Sequence, residues 1–106
     1  MEERVRRIAS ELRGRLETAY GERLIEVVLF GSQARGDAES GSDIDVLVVL
    51  QGEVRPWEEI SRTGEIVADL SLRHEVVVSC VFVSLDRYRV EQTPLLMNVR
   101  REGVLV

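Results

Sequence analysis

The chain contains no lysine: all 14 basic residues are arginine, against 19 acids, for a formal net charge of -5. Gripping a long nucleic acid takes a basic surface that displaces counterions, so that role is not expected. Cys80 is the only cysteine, which excludes an internal disulfide and fits a reducing cytoplasm. Its neighbours from Val76 to Val83 are almost all apolar, so its thiol is read as buried and inert. No apolar run approaches the length of a membrane span, and no signal-peptide pattern is present. Proline is scarce, and no repeat, linker or low-complexity tract divides the chain. With 106 residues, a single domain spanning 1–106 and a modest core are expected.

What is present is hydrophobic pattern. Val5, Ile8, Leu12, Leu16 and Ala19 recur at helical spacing, predicting an amphipathic helix from Glu2 to about Ala19. The charged residues between them read as a solvated face with local ion pairs. Ile25 to Phe30 reads as a buried strand stopped by Gly31, and Asp43 to Leu50 as a second strand. Pro56 and Trp57 open a second helix running to about Arg73, its apolar stripe supplied by Trp57, Ile60, Val67 and Leu70 to Leu72. Trp57 is expected to anchor that helix on the sheet. Glu75 to Val83 is a strand with apolar residues on both faces. Ser84 and Thr93-Pro94 read as the starts of two short helices, the second ended by Gly103. The apolar tail Val104 to Val106 suits a short strand or contact with another chain, a second copy included. The sum is an α/β (α+β) fold: a small mixed sheet of three to four strands with helices mainly on one face.

The stretch between the first two strands carries the chemistry. Gly31-Ser32-Gln33-Ala34-Arg35-Gly36 has room for one helical turn, and a polar loop, Asp37 to Ser42, follows it. A glycine there lets backbone N–H groups approach a phosphate, and the turn aims its free amides the same way. Ser32 adds a hydroxyl donor. Residues two apart on a strand share a face, so Asp43 and Asp45 project together while Ile44 turns into the core. Two adjacent carboxylates repel unless a cation joins them. Mg2+ is the hard cation commonly held by one or two carboxylates plus substrate phosphates.

Gly31-Ser32-x-Ala34-Arg35-Gly36, then Ser42-Asp43-x-Asp45 before an apolar strand, resembles the signature of the minimal nucleotidyltransferases. These are small relatives of DNA polymerase β and kanamycin nucleotidyltransferase. The resemblance implies their polymerase β-like core, and transfer of a nucleoside monophosphate from ATP, with Mg2+, to a hydroxyl. It assigns Gly31, Ser32, Arg35, Gly36 and Ser42 to the nucleotide, and Asp43 and Asp45 to metal and catalysis. It also implies the antitoxin half of a pair whose partner is a HEPN-type toxin modified on tyrosine. Such relatives carry a third carboxylate on the strand after the long helix, and here that position falls on Val77. Glu75, two residues earlier, is the candidate substitute, read as sharing Val77's face of the strand. His74 is read as a surface residue at a helix end. Without a third acid, a chain that binds nucleotide and sequesters its partner is the alternative to an enzyme.

Overall fold

A computed structural model of the chain describes residues 2–39 and 41–106. Met1, and Ser40 of the polar loop, lie outside them. The first helix, α1 (Glu3–Tyr20), forms where the apolar spacing placed it, and Val5, Ile8, Leu12 and Leu16 are buried along one side. A 3-10 turn, Gly21–Arg23, leads into β1 (Leu24–Phe30). A one-turn helix, α2 (Gly31–Arg35), and the polar loop connect β1 to β2 (Ile44–Leu50). Then come α3 (Pro56–His74), β3 (Val78–Ser84), α4 (Leu85–Val90), α5 (Pro94–Glu102) and β4 (Val104–Leu105). The hydroxyls of Ser84 and Thr93 cap α4 and α5, accepting from the backbone N–H groups of Arg87 and Leu96, each at 3.3 Å.

The four strands form one mixed sheet in the order β3-β2-β1-β4. β1 is antiparallel to both β2 and β4, while β2 and β3 are parallel and joined through α3. Strand alternation divides the core. Ile44, Val46, Val48 and Leu50 of β2 pack with α1 and α3 on one face. Leu47 and Val49 pack with Leu96 and Val99 of α5 on the other. The two long helices thus share one face, and the short α4 and α5 lie across the opposite one. The tail joins the sheet, with Val104 paired to Leu29 and Leu105 to Val28. Gly103 allows that return: a Cβ there would sit 2.4 Å from the Val99 carbonyl oxygen and 2.6 Å from Val28 Cγ1.

Two expectations are corrected. Trp57 is not an anchor; it is 82% exposed. The inward positions of α3 belong instead to Glu59, Thr63 and Leu70. Two polar residues bury there because their groups are satisfied. Tyr20 Oη donates to Glu59 Oε1 at 2.9 Å, and Thr63 Oγ1 donates to the Glu59 carbonyl at 2.9 Å. Arg62 and Arg23 neutralise Glu59 at 3.4 and 3.9 Å. Burial and that carboxylate push the Tyr20 hydroxyl well above its usual range. A hydrogen bond to a charged group contributes about 1.5–3 kcal/mol, enough to turn the helix away from its apparent apolar stripe. Second, β3 starts at Val78 rather than Glu75. Helix α3 continues to His74, and Glu75 takes the left-handed conformation (φ 52°, ψ 49°) that ends it.

The charged side of α1 is paired as expected, and much of the pairing crosses to α3. Arg15 meets Asp69, and Arg73 meets both Glu11 and Asp69. His74 Nε2 lies 3.3 Å from Glu11 Oε1, in keeping with its reading as a helix-end residue. Burial pushes the Cys80 thiol up to about 12, so it is inert at neutral pH.

Candidate active site

The site lies where β1 ends and β2 begins, because antiparallel pairing sets Phe30 directly opposite Asp45. Gly31 follows Phe30 with φ +74°, a left-handed conformation that glycine adopts at little cost. It also stands against the acid. A Cβ on Gly31 would lie 2.6 Å from Asp45 Oδ2, closer than non-bonded atoms approach. The small-residue bend and the second carboxylate are therefore in contact. The α2 N-terminus beside them has no side-chain cap, and Ser32 is half-buried there. Uncapped first-turn N–H groups are donors in need of an acceptor.

Asp43 precedes the first residue of β2 and is exposed; Asp45 is half-buried. Burial, and secondarily the nearby charge of Asp43, raise the Asp45 carboxyl above its ordinary value. Among the described residues neither acid has a hydrogen-bond or ion-pair partner. Two unneutralised carboxylates, one of them raised by the other, suit a divalent cation with hard-oxygen preference. Those two residues are the ones that would hold Mg2+.

The remaining residues of the motif are placed as follows. Gly36 closes α2 in a left-handed turn, with its N–H on the Ser32 carbonyl at 3.0 Å. Ser42 braces the loop: its hydroxyl accepts from the Glu39 N–H at 2.9 Å, and its carbonyl accepts from Gln33 Nε2 at 3.2 Å. Arg35 is exposed but engaged, with Nε 3.1 Å from Asp37 and Nη1 3.2 Å from Glu102 of α5. Those two acids raise the Arg35 pKa further. The roles of Gln33 and Glu102 left no sequence signal, because both act through contacts formed only when α2, the loop and α5 converge.

Glu75 does not join the acids. Sharing a face two residues from Val77 requires strand geometry, and Glu75 is the exposed end of a helix. Among the described residues no group of three or more His, Cys, Asp or Glu is placed to hold a metal ion. Val77 does stand where the third acid was sought. The β2–β3 register pairs Ile44 with Val78, and the Ile44 N–H donates to the Val77 carbonyl at 2.9 Å, so Val77 lies beside Asp43. It is exposed.

Comparison with known proteins identifies the family. The family model of the nucleotidyltransferase domain matches residues 9–96. A Methanocaldococcus jannaschii protein, provisionally named a protein adenylyltransferase, is 33% identical over 99 residues, covering 93% of this chain and 95% of its own. A crystal structure of a provisionally named nucleotidyltransferase from Sulfolobus solfataricus aligns with a TM-score of 0.68 over 96% of this chain and 80% of that one, at 24% identity. A structure of the tri-AMPylated HEPN toxin of Shewanella oneidensis in complex with MNT antitoxin aligns with a TM-score of 0.60 over 95% of this chain and 70% of that one, at 20% identity. At these identities the two structural likenesses establish a shared fold.

Proposed function

Because the chain belongs to the nucleotidyltransferase domain family, we propose that it transfers AMP from ATP to a hydroxyl of another protein. The observation that carries this reading is the contact between Gly31 and Asp45, which joins the bend before the uncapped α2 N-terminus to the acid pair. The adenylyltransferase name of the archaeal relative supports AMP as the group transferred. The AMPylated toxin of the Shewanella complex supports a HEPN-type protein as acceptor, and the family resemblance implies a tyrosine as the residue modified.

In this mechanism the α2 amides and the Ser32 hydroxyl donate to the phosphates and fix the triphosphate. Asp43 and Asp45 would hold Mg2+, which when bound would supply charge neutralisation at the phosphates. Arg35 adds positive charge once it exchanges Asp37 or Glu102 for a phosphate oxygen. The acceptor oxygen attacks the α-phosphorus in line, and the bond to the bridging oxygen of pyrophosphate breaks. Pyrophosphate leaves, and the hydroxyl proton passes to solvent. Val77, which occupies the place beside Asp43, cannot take that proton.

That same valine favours a second reading, in which the chain binds nucleotide and its partner and neutralises the partner by sequestration. One experiment separates the two. The protein is incubated with labelled ATP, Mg2+ and the product of the neighbouring gene, alongside the Asp43→Ala/Asp45→Ala variant. Label on the partner with the native chain alone, together with lost neutralisation by the variant, establishes transfer. Neutralisation retained by the variant without label establishes sequestration and overturns the enzymatic reading.

A further inference from the structure

A second surface is left unexplained by the site. Several charges of α3 are paired on its α1 side, Arg62 with Glu59 and Asp69 and Arg73 with Arg15 and Glu11, while Glu58 meets Arg55. At helical spacing, the other flank is Trp57, Ile60, Gly64, Val67, Ala68 and Ser71, with no charge at all. Beside that flank runs β3, one of the two edge strands of the sheet. Its sequence, VSCVFVS, contains no charge and no proline, the usual guards of an open edge. Between the two lies a groove of about 350 Å³, floored by Val78, Cys80 and Phe82.

Gly64 sits at the centre of this surface, and nothing lies within 4 Å of where its Cβ would be. Glycine inside a helix costs about 1 kcal/mol relative to alanine. The isolated chain has no packing reason to bear that cost, whereas a close helix neighbour does.

We propose that this face is the interface of a symmetric homodimer, in which two β3 edges pair antiparallel and two α3 helices cross at Gly64. The topology favours a second copy over another occupant. Helix α3 returns the chain from the end of β2 to the start of β3, so it runs opposite to β3. Its midpoint, Gly64, lines the same groove as Cys80 and Phe82, the middle of the strand. One two-fold axis therefore passes the centre of both elements. Around such an axis a residue meets itself or its near neighbours, so charge there is repelled by its own copy. On a chain of 19 acids and 14 bases, an uncharged flank avoids that penalty. Antiparallel helices crossing at Gly64 also set Trp57 of one copy over Ser71 and Leu72 of the other. Trp57 and Leu72, 82% and 79% exposed, are the two most exposed large apolar residues among those described.

This inference is independent of the proposed catalysis and is tested without nucleotide. Sedimentation of the full chain is followed over roughly 1–500 µM, the range suited to a modest interface. The native chain is expected to pass from monomer to dimer, and the emission of Trp57, its only tryptophan, to shift to the blue. Gly64→Arg fills open space and improves helix propensity, so it is expected to keep the native circular dichroism while remaining monomeric. Trp57→Ser, on an exposed first turn, is the second variant and is expected to weaken the dimer at least ten-fold. A native chain that stays monomeric at the highest concentration overturns the proposal, even if the face captures a different protein. So does a folded Gly64→Arg chain that dimerises as the native one does.

Discussion

The Asp45 carboxylate occupies the space that a side chain on Gly31 would need. The bend and the acid are therefore two parts of one object, and a side chain on Gly31 would displace Asp45. Gly31→Ala is expected to cost about 1–2 kcal/mol, from the left-handed φ together with displacement of Asp45. It is also expected to weaken Mg2+–ATP binding at least ten-fold. Thermal unfolding and calorimetry check both, and an alanine variant with native affinity would separate the bend from the acids.

The raised Asp45 carboxyl has a pH signature. An acid whose pKa rises on folding destabilises the folded state above that pKa, and the penalty disappears below the unfolded value. Asp45→Asn is therefore expected to melt higher than the native chain at pH 7 without metal. This advantage should shrink as pH falls through the raised folded pKa toward the ordinary 3.8. Added Mg2+ should raise the native melting temperature and leave that of Asp45→Asn unchanged. The measurement is a set of melting curves between pH 3.5 and 7.5.

Val77 offers a gain-of-function test. Val77→Asp places a third carboxylate beside Asp43 on an exposed site, where the fold bears it easily. It should lower the melting temperature in metal-free buffer through repulsion and enlarge the gain on adding Mg2+. If deprotonation of the acceptor limits the native chain, AMP transfer should rise roughly ten-fold or more, at the low end for a positioned base. Unchanged metal response and unchanged transfer would clear Val77 of limiting the site.

Glu75 is the only described residue other than glycine with a positive φ, 52°. Glu75→Gly relieves that conformation and should stabilise the chain by about 0.5–1 kcal/mol. Because Glu75 stands apart from Asp43 and Asp45, nucleotide affinity should not change. A loss of Mg2+ affinity in this variant would restore the carboxylate to the site.

The local signals were the readable ones. The order of elements, the capping roles of Ser84 and Thr93, and the approach of Gly31 to Asp45 followed from spacing and strand alternation. The rotation of α3 did not, because it depends on Tyr20 lying across from Glu59, thirty-nine positions away. A buried glutamate looks like any surface acid until its partners assemble. The start of β3 was misplaced for a related reason. Val76 and Val77 prolong the apolar run ahead of the strand, Val77 joining β2 only through its carbonyl, and only the Glu75 backbone marks where the helix stops. Val77 keeps its place beside Asp43 despite the shift, because the register with β2 fixes it whatever precedes it.

The tail strand has one more effect. By lying along β1, Val104 and Leu105 use up that side of the sheet with a ladder only two residues long, too brief a template for further strands. The proposed union of two copies through β3 closes about its own two-fold axis and leaves no second β3 edge from which the sheet could be extended.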